Sequence, residues 1–213
     1  SSNLSFGISS IGLEFKINIV SVSFIIIFLL LKINQIFQID LQSIDFPDLR
    51  KLKLYLSCQL MSLFTIIGIT TSNNIFNIFI FIELYLLLNI AITIVSKNYK
   101  IISYQSSYVV INVIFSMVLL IAISVLFFNA KNSSLDVIAK EVSESSILYI
   151  YEICFILISL SLAFKFIPLW LSSIKAVKNF PLLLGQLYVV IFLNFNIIIC
   201  LMLKFYDIIL LLI

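Results

Sequence analysis

The chain has 213 residues, of which 62% are hydrophobic and only 11% charged, and its mean hydropathy is +1.23. Soluble globular domains carry roughly 45–50% apolar and ~25% charged residues, so an ordinary water-soluble fold is excluded and an integral membrane protein is expected. The formal net charge of +3 is dispersed between apolar runs, which excludes a nucleic-acid surface. The lack of any histidine excludes His-ligated haem, zinc or copper and a histidine general base in this chain.

Six hydrophobic spans follow in order, approximately 17–33, 54–71, 75–96, 105–128, 147–170 and 182–204. Together they form a single all-α transmembrane domain over 1–213. The first span is entered through the polar GLEFK at 12–16. A polar connection ending in Arg50, Lys51 and Lys53 precedes the second. The turn Ser72-Asn73-Asn74 is short enough to make spans two and three an antiparallel pair. NAKNSSLDVIAKEVSESS, at 129–146, is polar and long enough for a short surface helix. The fifth span contains Pro168, which lacks a backbone donor and clashes with the preceding turn, so a broken helix is expected there. The amphipathic LWLSSIKAVKNF follows as a second piece.

Loop charges orient the spans. One face collects Lys32, Arg50, Lys51, Lys53, Lys97, Lys100, Lys175 and Lys178. The other has Lys16, Lys131, Lys140 and Lys204, diluted by Glu14, Asp136, Glu141, Glu144 and Asp207. The basic face is expected toward the matrix or cytoplasm. No GxxxG pattern occurs, so packing should rest on large side chains.

Within the spans three ionisable residues stand out: Glu83, Glu152 and Lys165. A charge at the membrane centre costs ~2.5–3.5 kcal/mol on insertion scales and normally marks an ion path. Glu83 lies near the middle of span three. Glu152 lies one turn inside span five and can reach the interface. Lys165 immediately precedes the expected break. Burial and ion pairing act in opposite senses on proton affinity, so separating such a pair would change it. Asn77, Asn89, Gln105, Ser159, Ser161, Gln186, Asn194 and Asn196 are candidates to hydrate a path, or ordinary interhelical glue. Cys58, Cys154 and Cys200 are far apart and read as buried small hydrophobes, so no metal site or cofactor is expected. No phosphate loop or nucleophile constellation is present either. The usage of Ile, Leu, Phe, Asn and Ser, with a single Arg, points to an A+T-rich and therefore organellar gene.

SNNIFNIFIFIELYLLLNIAITI (72–94) resembles the Glu-bearing helix of antiporter-like membrane subunits, and LSLAFKFIPLW (160–170) resembles their Lys-plus-Pro-Trp segment. NSSLDVIAKEV (132–142) and GLEFKINIVSVSFIIIFLLL (12–31) are similar to the family's intervening loop and an earlier helix. The family comprises the antiporter-like subunits of respiratory complex I and the Mrp cation/proton antiporters. The resemblance implies the first half of an inverted-repeat fold with a broken fifth helix and a Glu83–Lys165 proton-pathway pair; Glu152, Asn194 and Asn196 are weaker candidates read from the residues alone. It also implies a membrane-arm place in a proton-translocating NADH:ubiquinone oxidoreductase whose redox chemistry lies in other subunits. Expected partners are those membrane subunits and lipids, in the mitochondrial inner membrane or, alternatively, a bacterial plasma membrane.

The chain departs from the family pattern in four ways. The second repeat is absent. Pro168 follows Lys165 by three residues rather than about five, without the usual His. Span six offers Asn194 and Asn196 where the family has a central Lys or His, and the one or two leading helices are missing. A fragment docked on a separate chain that supplies the remaining helices is therefore expected, or a largely structural subunit. A stand-alone antiporter subunit and a structural subunit of another organellar complex are the alternatives.

Overall fold

The computed structural model describes residues 2–6, 13–40, 49–95, 99–144, 148–177, 197, 199–201 and 203. Side-chain surroundings are described for 14–33, 50, 52–92, 109–142, 149–165 and those last five positions.

The helical body is preceded by a hairpin that the expectation of an all-α chain leaves out. Strands β1 (Ser2–Phe6) and β2 (Leu13–Ile17) pair antiparallel, with Leu4 opposite Phe15 and Phe6 opposite Leu13. The alternation is visible in LEFKI: Leu13, Phe15 and Ile17 fall on one face, Glu14 and Lys16 on the other. Asn18 then leads into helix α1 (Ile19–Asp40). Its amide donates to Ser21 Oγ at 2.8 Å, and that hydroxyl donates back to the Asn18 carbonyl at 2.7 Å. The first turn of α1 is closed by its own serine.

Helices α2 (Leu49–Thr71) and α3 (Ile75–Val95) form the expected antiparallel pair across the 72–74 turn. Asn74 caps α3, its Oδ1 accepting from the Phe76 amide at 2.9 Å. Helix α4 (Tyr99–Ala130) is longer than span four, because its polar first turns continue the helix. It ends at Lys131, whose φ of 51° is the left-handed stop that closes a helix. The short helix α5 (Leu135–Glu144) is where a surface helix is expected. It buries Leu135, Ile138 and Val142 and exposes Asp136, Lys140 and Glu141, an i, i+3, i+7 stripe.

Helix α6 (Leu148–Val177) runs without interruption through Pro168. The expected break is therefore corrected to a single helix that also absorbs the amphipathic piece up to Val177. A proline leaves one upstream carbonyl without its amide donor, but the turns on either side keep theirs, so a helix can continue past it. Of the sixth expected span, only Ile197, Ile199, Cys200, Leu201 and Leu203 are described, and Asn194 and Asn196 lie outside the described residues.

Helix α1 packs on α2, α2 on α3, α3 on α4, and α4 most extensively on α6. The core holds Ile66, Ile69, Ile78, Ile82, Leu86, Leu119, Leu126, Ile158 and Leu162. The outer faces are apolar too: Leu60, Met61, Phe64, Ile114, Met117, Ile121, Ile153 and Ile156 are exposed. Water does not tolerate such a continuous apolar surface, whereas hydrocarbon does. Among the described residues, Leu52–Thr71, Ile75–Ile92 and Val109–Ala130 are long and apolar enough to cross a membrane, and Ile19–Ile33 is a shorter apolar stretch. The chain is a helical membrane protein.

At one end a polar knot ties the segments together. The Asn73 amide donates to the Glu14 carbonyl, the Ile75 amide to Ser133 and the Leu135 amide to Asn73, each at 2.9 Å. Asn74 Nδ2 donates to Ser133 Oγ at 2.6 Å, and Asn73 Nδ2 reaches Ser134 Oγ and Asp136 at 3.1 Å. Lys16 closes the knot on Asp136 at 2.7 Å. The hairpin, the α2–α3 turn and the start of α5 are thereby fixed to one another.

Helices α2 and α3 pack tightly at Gly68, where an added Cβ would lie 2.6 Å from the Phe81 ring. Overpacking of this kind costs about 1–3 kcal/mol. Gly68→Ala is therefore expected to destabilise the bundle by that amount in reversible unfolding, and truncating the ring in Gly68→Ala/Phe81→Leu should recover part of the loss.

Candidate functional site

Glu83 enters from α3, eight residues past Ile75 and hence about 12 Å along a helix of about 31 Å. Lys165 enters from α6, and α4 runs between with Ser116 on the facing side. Lys165 Nζ is in ion-pair contact with Glu83 Oε1. It also donates to Ser116 Oγ at 2.8 Å. The serine oxygen is 3.0 Å from both Glu83 carboxylate oxygens and 2.8 Å from the Asn112 backbone carbonyl. A serine has one hydroxyl proton, so with Lys165 on its lone pair it donates either to Glu83 or to the Asn112 carbonyl, and only one at a time. The cluster is a carboxylate, a hydroxyl that can turn, and an ammonium.

Its enclosure is uneven. The Lys165 side chain is 0% exposed and that of Glu83 22%. Phe115 and Phe164, the residues just before Ser116 and Lys165, stack with centroids 4.7 Å apart and planes 5° apart. That stack sets the register of α4 on α6 at the level of the charges. The Phe79 ring lies 5.7 Å from Lys165 Nζ and offers its face to the cation. Toward the knot, a gap of only about 10 Å³ is lined by Ile75, Ile78, Phe79, Ile82, Leu119, Ile123, Ile158 and Leu162. Its lining side chains are all apolar and offer water no hydrogen-bond partner.

Glu152 is not part of the cluster. It is exposed in the first turns of α6, 13 residues and hence about 20 Å along the helix from Lys165. Several residues expected to hydrate a path are satisfied locally instead. Asn89 Nδ2 donates to the Tyr85 carbonyl at 3.0 Å, Ser159 to Ile156 and Ser161 to Ile158, both at 2.9 Å. A larger cavity of about 300 Å³ lies at the knot, lined by Lys16, Ser21, Thr70, Asn73, Asp136 and Cys200 among others, and none of the cluster residues lines it.

Sequence reading misses Ser116 and Asn112. They are four apart on α4, on one face of an otherwise apolar segment, and that spacing is the signal that could have found them. It also misses a second buried cation. Lys32, read as a loop charge of the basic face, is 3% exposed inside α1, which continues past the expected end of span one to Asp40. Its Nζ donates to Gln59 Oε1 at 2.7 Å, and Gln59 Nε2 donates to the Tyr55 hydroxyl at 3.1 Å. Among the described residues no carboxylate faces this ammonium. Among those residues, too, no group of three or more His, Cys, Asp or Glu side chains that could hold a metal occurs.

Fold and site together define a helical membrane protein with an ion pair enclosed between three helices. No family model matches the chain, and no curated protein or solved structure matches it either.

Two predictions follow from this geometry. Removing one member of a buried pair strands the other and costs about 3–5 kcal/mol, whereas replacing both leaves no uncompensated charge. In a thermodynamic cycle of Glu83→Leu and Lys165→Met, the double variant should therefore be markedly more stable than the two single losses added together. At the second cation, Gln59→Leu should cost about 1.5–3 kcal/mol by removing an acceptor from a charged donor. Lys32→Met should cost less than Gln59→Leu in the same unfolding assay.

Proposed function

We propose that the chain is a membrane subunit that takes part in proton translocation through the Glu83–Ser116–Lys165 cluster. The observation that carries this reading is an ion pair enclosed at membrane depth and bridged by a hydroxyl with two alternative acceptors. A static pair needs only the two charges. A serine that can turn from Glu83 to the Asn112 carbonyl lets the coupling between carboxylate and ammonium change without a helix moving, and that coupling sets the proton affinity of both.

The resemblance of residues 12–190 to antiporter-like subunits supports a particular form of the proposal. The chain would be a membrane-arm subunit of a proton-translocating NADH:ubiquinone oxidoreductase, most like subunit 2, with subunits 4 and 5 as close rivals. It would contribute six spans, the first half of an inverted-repeat fold, in the mitochondrial inner membrane. A separate chain would supply the missing helices, and the redox chemistry would belong to other subunits.

A structural role is the second reading, and one observation favours it. Ion paths at membrane depth are usually built on broken helices that line a cavity, yet α6 continues through Pro168. A stand-alone antiporter subunit is a further alternative, and cation flux in vesicles holding this chain alone would single it out.

The deciding experiment is Glu83→Gln in the assembled complex, with proton pumping and assembly measured separately. Proton translocation through this chain requires pumping to be lost while the complex stays intact. Unchanged pumping leaves the structural role. Co-purification with identification of the bound chains by mass spectrometry tests the respiratory assignment.

A further inference from the structure

We infer that Asn112 holds a water molecule beside Ser116 and Glu83, and that this water gives the ion pair access to the end of the bundle away from the polar knot. The inference deepens the proton-handling reading and rests on it for its functional part. Asn112 is 5% exposed, and its Oδ1 is buried with no hydrogen-bond donor among the described residues. A buried acceptor left without a donor costs about as much as a lost hydrogen bond and is rare in folded proteins. The buried hydroxyls of Ser62, Thr65 and Ser161 all bond to carbonyls of their own helices, whereas no donor among the described residues reaches the Asn112 oxygen. It also stands next to the charges. Asn112 and Ser116 are one turn apart on the same face of α4, and Ser116 Oγ is already bonded to the Asn112 carbonyl.

A water bound there donates one proton to Asn112 Oδ1 and can offer the other to Glu83 or Ser116. Buried waters typically make about three hydrogen bonds, and these groups supply them. The direction of access follows from position. Asn112 is one turn closer to Tyr99 than Ser116, so it lies on the side facing away from the knot. On the knot side, the pair is flanked by the apolar side chains of Ile78, Ile82, Leu119, Ile123 and Leu162, which offer a water molecule no hydrogen-bond partner. A proton therefore reaches the cluster from the end of the bundle where α4 begins at Tyr99. In that step the water gives a proton to the Glu83 carboxylate and takes one from the next water outward. The water is unchanged and Glu83 becomes a carboxylic acid. Asn112 is a positioning residue, since it holds the water rather than the proton.

The test uses the full chain in lipid bilayers, isotope-labelled for solid-state NMR, with transfer of magnetisation from water to the Asn112 side-chain amide and Lys165 Nζ as the readout. In the unaltered protein both signals should receive water magnetisation. For Lys165 the transfer should be lost in Asn112→Leu and kept in Asn112→Asp, which preserves the oxygen. A role confined to packing would move neither. Absence of transfer in the unaltered protein, or its persistence at Lys165 in Asn112→Leu, overturns the inference, even where Glu83→Gln still abolishes pumping. Loss of the water contact in Asn112→Leu without a fall in proton pumping by the assembled complex carrying the same substitution overturns the access route. Loss of both, with pumping restored in Asn112→Asp, supports it.

Discussion

An ammonium enclosed among apolar helices has to be neutralised where it stands, and the middle of this bundle is arranged around that demand. Lys165 has no exposed surface, and its charge is met by Glu83 from a helix 82 residues earlier in the chain. That meeting requires α3, α4 and α6 to converge at one level. The Phe115–Phe164 stack fixes two of them there, and apolar residues of α3, α4 and α6 line the side toward the knot. In so apolar a setting the attraction between the charges is strong and the cost of separating them is high. Ser116 moderates the coupling, because one oxygen serves the lysine while its single proton chooses between carboxylate and carbonyl.

The ends of the bundle differ in kind. At the knot, a partly exposed Lys16–Asp136 pair lies among backbone and asparagine hydrogen bonds. Its charges contribute little in water, on the order of 0–1 kcal/mol. The ordering comes from the backbone bonds that lock the hairpin to the α2–α3 turn. Toward the other end, buried polar groups lie between the helices: Asn112 carries an acceptor without a donor among the described residues, and Lys32 is held by a neutral amide.

Some of this was legible in the residues alone. Apolar runs of membrane length located α2, α3 and most of α4. The amphipathic stripe of 135–142 located α5. Glu83 stood out because a carboxylate in such a run is costly and calls for a partner. The hairpin was legible as well, in the alternation of LEFKI, but its five residues lie beside a long apolar span whose signal dominates. The break at Pro168 was over-read: a proline removes one hydrogen bond, and whether the helix yields depends on what packs around it.

The sequence by itself determined that the chain belongs in a bilayer, where its helices begin to within about two turns, and that one carboxylate and one lysine needed an explanation. It did so because hydropathy and periodicity are local properties, and a helix answers to its own residues. Tertiary structure decided the partners. The Glu83–Lys165 pair was expected from the family resemblance, but that Ser116 stands between the two, that Glu152 stays exposed outside the cluster, and that Lys32 turns inward onto Gln59 are consequences of helix register and rotation. Those are set by interlocking side chains on different segments, and no stretch of sequence contains them.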